Sequence, residues 1–188
     1  MTERMLQLAR REAEEIAKRW GKQFYTYEKL KEKLERGEKV DWDNVFVFVD
    51  VRTLLRDAGG GSKAAQQILD MILARPSNFY VYLRLIAPHV RPEDIQIPMP
   101  LRQAKIGVEF ELPTALSFFT LPGIHGVIFV DEITNLPSPV HAAFYYSLIL
   151  EKELGLGNKL SDNVKVVAAG NPTAWSQAAG LAGRMPEP

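Results

Sequence analysis

Four apolar residues, Val127-Ile128-Phe129-Val130, run directly into two carboxylates, Asp131 and Glu132; further along, an apolar stretch beginning at Val164 ends in Gly170-Asn171-Pro172. Short apolar runs of this kind, bounded by turn residues, read as strands buried on both faces, the pattern of a parallel sheet covered by helices. Val45-Phe46-Val47-Phe48-Val49-Asp50-Val51 and Phe79-Tyr80-Val81-Tyr82-Leu83-Arg84-Leu85 carry the same signal, the first of them built almost entirely of Val and Phe. Helical patterns separate most of the runs, while Pro88, Pro92, Pro98 and Pro100 mark a mainly irregular stretch after Leu85. The alternation predicts an α/β fold, a mainly parallel sheet with helices on both faces.

The helices are legible from spacing and stop signals. Met5, Leu8, Ala9, Ala13, Ile16, Ala17 and Trp20 recur every three or four residues, Glu14–Lys18 and Glu15–Arg19 are favourable pairs one turn apart, and Gly21 is a natural stop. A more charged helix is expected over 27–35, ending at Gly37. Another spans 64–74 and stops at the Arg75-Pro76 step. Ser138 can cap a helix whose first residue is Pro139, running to about Leu154 and ending at Gly155. Residues 106–112 alternate apolar and polar side chains and suit one arm of a hairpin. Gly157-Asn158 and Asp162-Asn163 mark turns before the strand at Val164.

Composition narrows the function classes. The chain has 188 residues, enough for one domain with a sizeable core, and Lys plus Arg equals Asp plus Glu. The zero formal charge gives no electrostatic footprint for nucleic acid. With no cysteine there is neither a disulfide framework nor thiolate chemistry. No stretch has the length and apolarity of a membrane span, and the charged start lacks the apolar core of a signal peptide, so a cytoplasmic location is the default expectation. His89, His125 and His141 lack metal-ligand spacing with one another and are expected to be structural or surface residues. Trp20, Trp42 and Trp175 suit packing better than base stacking, because no basic stripe accompanies them.

The acids and the asparagine carry the chemistry. Ligands of open parallel sheets bind beyond the carboxyl ends of the strands. If the strands ending at Asp131 and Gly170 lie side by side, Asp131, Glu132 and Asn171 share that edge. A first carboxylate there suits a hydrated magnesium ion. A second can polarise an attacking water, and an asparagine can position it near a terminal phosphate.

On these residues the chain resembles the AAA+ ATPases, most closely their MoxR-like branch. Gly126-Val127-Ile128-Phe129-Val130-Asp131-Glu132-Ile133-Thr134-Asn135 resembles that branch's Walker B motif, and Val166-Val167-Ala168-Ala169-Gly170-Asn171-Pro172 resembles its sensor 1 strand. The resemblance covers about residues 106–173 best. It implies a P-loop NTPase fold treated as a single domain over 1–188, ATP and magnesium as cofactors, Asp131 on the metal, Glu132 as the water-activating base and Asn171 as the sensor of the γ-phosphate. It further implies a homo-oligomeric ring, a hexamer in the parent protein, that remodels a protein substrate or is reached through an adaptor.

The phosphate cradle is the departure. No Gly-x-x-x-x-Gly-Lys-Ser/Thr occurs anywhere in the sequence. In one reading the loop lies upstream of residue 1. The first helix then resembles the one that follows a P-loop, with Thr2 at the hydroxyl position, residues 47–52 resemble the second core strand, and Arg91-Pro92-Glu93-Asp94-Ile95-Gln96-Ile97-Pro98 resembles the segment that follows it. In the other, Gly59-Gly60-Gly61-Ser62-Lys63 is a degenerate P-loop, although Ser62 precedes Lys63 instead of following it. A plain Gly-Ser connection fits the same residues. Arg184 is the one arginine beyond Asn171, and its surroundings do not match an arginine-finger motif. The rival class is a non-catalytic scaffold that keeps the fold; a nucleic-acid-associated module is a more distant third.

Overall fold

The computed structural model describes residues 2–91, 112–134, 136–155 and 157–170. Asn171, Trp175 and Arg184 lie outside the described residues, as do 92–98 of the segment likened to the family and 106–111 of the expected hairpin arm. Among the described residues the sheet comprises β1 (Gln23–Thr26), β2 (Val45–Asp50), β3 (Phe79–Ile86), β4 (His125–Asp131) and β5 (Asn163–Ala168), all parallel and in sequence order across the sheet. The helices are α1 (Thr2–Arg19), α2 (Tyr27–Glu35), α3 (Val51–Gly59), α4 (Lys63–Ala74), α5 (Leu112–Ser117) and α6 (Pro139–Tyr146).

The strand order explains the layering. Parallel neighbours require crossovers, and crossovers are right-handed. Strands laid down one after another in a single direction therefore send every connecting helix to the same face. Tyr27, Leu30, Leu54, Ile68, Leu116 and Tyr145, from α2 to α6, form one core with Val47, Val81 and Ile128 of the strands. The other face is left to α1, which precedes the whole series. There Ala9, Ala13, Ile16 and Ala17 pack with Phe46, Phe48, Tyr80, Tyr82, Val127 and Phe129. The alternation along β2 to β4 sends small branched side chains to the helix-rich face and mostly aromatic ones to the face with one helix. Small alanines on α1 let it sit close, and the long rings fill the remaining volume.

Polar contacts pin α1 in place. Glu12 accepts hydrogen bonds from the Tyr80 hydroxyl and from Lys165 Nζ, each at 2.7 Å. Burial works against the Glu12 charge, but these two donors outweigh it and hold the carboxyl below its usual range. Trp20 closes the lower end, edge-on to Phe46 and His125. Since β1 starts just after α1 and pairs from Gln23 with Val45, the carboxyl end of α1 lies at the amino edge of the sheet. The amino end of the helix faces the opposite, carboxyl edge.

Gly126 reports how tightly β4 is held. A Cβ there would lie 2.4 Å from the Val81 carbonyl oxygen and 2.9 Å from Val81 Cγ2. Backbone and neighbour both block it, so only glycine fits. The strand begins one residue before this glycine, at His125.

Several expectations change. β1 carries no apolar run and is stabilised through its neighbour, with Gln23 donating its N–H to the Asn44 carbonyl at 2.8 Å. Val51 begins a helix instead of ending a strand, because the Asp50 side chain caps α3 by accepting the Arg52 N–H. Leu112, expected in a hairpin, starts α5. The Ser138-capped helix is regular only to Tyr146; a π-helical turn continues it to Glu151, and Lys152, with φ of 55°, ends it. The turn before β5 forms a minimal hairpin with a single bridge between Glu153 and Lys159.

Candidate functional site

The glycine-rich segment does not have phosphate-loop geometry. It joins two helices, α3 and α4, where a P-loop joins a strand to a helix. Ser62 Oγ is engaged as the cap of α4, accepting the Ala65 N–H at 3.1 Å. The connection reading fits; the degenerate-loop reading does not.

The acids lie where the pairing of strands requires. β4 and β5 are neighbours, with Val130 opposite Ala168, so both chains leave the sheet at one edge. The two segments stay joined beyond the ladder: Ala169 donates to the Val130 carbonyl at 2.8 Å, and Ile133 donates to the Ala169 carbonyl at 3.0 Å. Gly170 then passes so close to Thr134 that a Cβ would sit 2.4 Å from Thr134 Cγ2. The path from Asp131 to Thr134 is thus fitted against the end of β5. Asn171 follows this contact directly in sequence, outside the described residues.

Asp131 and Glu132 have different surroundings. Asp131 belongs to the α1-facing row of β4, with Val127 and Phe129, and its side chain is 17% exposed. Its Oδ2 accepts from Arg84 Nη2 at 2.7 Å and Nε at 3.2 Å, and its Oδ1 accepts the Glu132 N–H at 2.9 Å. Glu132 is exposed and has φ of 58°, a left-handed conformation that costs a non-glycine residue about 1–2 kcal/mol. Such strain persists only where surrounding structure imposes it, and it concentrates at functional sites. Here it turns the chain sharply after the strand, so that consecutive carboxylates do not simply alternate along an extended backbone.

Two arginines complete the edge. Arg52, at the start of α3, donates from Nε and Nη2 to the Arg84 carbonyl at 3.2 and 2.9 Å. Burial, partly countered by Asp50 and reinforced by Arg84, lowers the Arg52 pKa. Burial likewise raises Asp50, against the pull of the Arg52 and Thr53 amides. Tyr82 stands opposite Asp50 in the ladder, its hydroxyl buried with no hydrogen-bond partner among the described residues; burial first, then Asp50, pushes its phenol up to about 12. Arg84 and Arg52 were not singled out by sequence reasoning. The available signal was that Arg84 is the lone charge in an otherwise uncharged strand.

His125 and His141 are packed into the fold, and His89 is exposed. His141 is buried, with Nδ1 2.6 Å from Ser138 Oγ and Nε2 against the Val90 carbonyl. His125 packs between Trp20 and Phe46, and burial lowers its pKa. Among the described residues no group of three or more His, Asp or Glu could hold a metal, and no helix is long and apolar enough to cross a membrane. Magnesium, however, is commonly bound through one or two carboxylates together with substrate phosphates. Asp131, a single carboxylate at the carboxyl edge of the sheet, would suit a metal carried by a polyphosphate better than one held by protein alone.

The class defined by these features is an α/β protein whose described residues form a five-stranded parallel sheet flanked by helices, with Asp50, Asp131 and Glu132 at its carboxyl edge. No family model matches the chain, and neither a curated protein nor a solved structure matches it.

Proposed function

We propose that this chain carries the metal- and water-handling part of an AAA+ ATPase of the MoxR-like kind, a P-loop NTPase that couples ATP hydrolysis to remodelling of a protein partner in a cytoplasmic ring. The observation that supports this most is the pairing of β4 with β5, which brings Asp131, Glu132 and the approach to Asn171 to one edge. The amino end of α1 faces the same edge, as a helix following a phosphate loop would. The left-handed turn at Glu132 supports a specialised use of that residue.

Each residue has a separate role in this reading. Asp131 holds magnesium, directly or through its water shell. Glu132, exposed beside it, accepts the proton of the attacking water. Asn171 orients that water and registers the terminal phosphate. Bound magnesium supplies charge neutralisation on the phosphates. No phosphate cradle is recognisable in the sequence, so weak binding of magnesium-ATP is the expectation.

Titration of the full protein with a fluorescent ATP analogue, with and without magnesium, tests the assignment. Binding that strengthens with magnesium, and loses that dependence in Asp131→Asn, is the expected result. Metal-independent binding, or none at all in the full protein, rejects it. The absence of a recognisable cradle and the engagement of Asp131 by Arg84 favour a second reading, a scaffold that keeps the fold without turnover. Protein partners retained by variants of both acids would select it.

A further inference from the structure

Arg84 stands in an unusual place. In β3, Phe79–Ile86, it is the sole charged residue, and its guanidinium reaches Asp131 Oδ2 through two donors. Its backbone is fixed twice over: opposite Phe129 in the sheet, and by Arg52 on its carbonyl. Only the side chain has freedom to move. A guanidinium is not deprotonated in proteins, so raising the pH does not release the carboxylate. A competing cation is needed.

We propose that Arg84 is a gate on the Asp131 carboxylate: it excludes a divalent cation that arrives alone and admits one that arrives on a polyphosphate. This rests on the reading of Asp131 as the metal carboxylate. A hydrated dication meeting a single carboxylate gives up its water reluctantly, and here it must also approach a fixed positive charge. A metal–polyphosphate complex changes both terms. Its phosphate oxygens hold the metal, and they offer the guanidinium a bidentate acceptor to replace the one it leaves. Asp131 and Arg84 then exchange partners together. The half-buried pair, with Arg84 32% and Asp131 17% exposed, is open enough for that exchange and enclosed enough for the charge to matter.

Manganese alone is the probe, read by selective broadening of the Glu132 backbone amide in 15N-correlated spectra of the protein. Wild type stays sharp at concentrations that broaden Arg84→Gln, whose response begins at about tenfold lower manganese once the like charge is gone. Arg84→Gln combined with Asp131→Asn returns to wild-type silence. Equal broadening in wild type and Arg84→Gln overturns the gate, as does a gain that survives in the double variant. If Arg84→Gln does not give a folded spectrum, Arg84→Met carries the same comparison. The outcome separates from the ATPase reading: a gain in Arg84→Gln from a protein that binds no ATP keeps the exclusion and sinks the ATPase, whereas magnesium-dependent ATP binding with no gain does the reverse.

Discussion

β2 and β4 end in nearly the same way in sequence, Val47-Phe48-Val49-Asp50 and Ile128-Phe129-Val130-Asp131, and in the same fold they do different things. After Asp50 the chain passes straight into α3, and the aspartate serves its own backbone, accepting the Arg52 N–H at 3.0 Å as a helix cap. After Asp131 there is no helix at once. Glu132 turns left-handed, Ile133 ties back to Ala169, and the aspartate faces across to Arg84 on another strand. An apolar run ending in an acid is therefore not a functional signature in itself. What separates the two cases is that Asp131, besides accepting the amide of its own next residue, reaches a partner on a neighbouring strand.

The largest expected difference is in turnover. On the proposed ATPase reading, Glu132→Gln would remove the base while keeping shape, and ATP hydrolysis followed by phosphate release should fall by roughly 10²–10⁴. Asp50→Asn, a helix cap retained in shape, leaves the rate unchanged. Equal losses in both variants would erase the distinction between the two strand ends.

Stability should rank the strands differently. Gly126→Ala forces a Cβ into the Val81 backbone and should cost about 1–3 kcal/mol in urea denaturation, as overpacked sites do. A cost near zero would mean that β3 and β4 separate more readily than their spacing indicates. At the acids the order of effects reverses relative to turnover. Asp50→Ala loses a cap worth about 1 kcal/mol. Asp131→Ala gives up a partly exposed ion pair worth roughly 0–1 kcal/mol. A larger stability loss at Asp131 than at Asp50 would make the Arg84 pair a structural fastener.

The smallest effect is in pH dependence. Burial raises the folded-state pKa of Asp50, so its contribution to stability is fully present below the unfolded pKa and is lost as pH rises through the raised folded value. Asp50→Asn has no such loss, and its stability relative to wild type should increase across that acidic window. A flat difference between the two proteins would show that the helix cap, not burial, governs the group. Glu12 has the opposite sign, its contribution disappearing as pH falls through its lowered pKa, and it serves as the internal contrast.

Much of this was legible in the sequence. The four longer strands, the amphipathic α1 with its stop at Gly21, α4 ended before Pro76, and the Ser138 cap all rest on local rules of period, capping and turn chemistry. The membership of Asp131 and Glu132 at the end of a buried strand followed from the same rules. β1 was invisible because four polar or aromatic residues carry no signal without the neighbour that supplies their hydrogen bonds. α3 was missed because its cap lay inside what read as a strand, and 3.6-residue periodicity is poorly resolved in so short a segment.

The sequence by itself determined that the chain alternates buried strands with helices and that two acids close one of those strands, since these depend on neighbours a few residues away. Only the tertiary structure decided the order of the strands, the crowding of the helices onto one face, the contact of Gly170 with Thr134, and the choice of Arg84 as the partner of Asp131. Arg84 and Asp131 are 47 positions apart. No local pattern links residues so distant; their contact exists because parallel pairing lays β3 beside β4 and fixes which side chains of the two strands emerge on the same face.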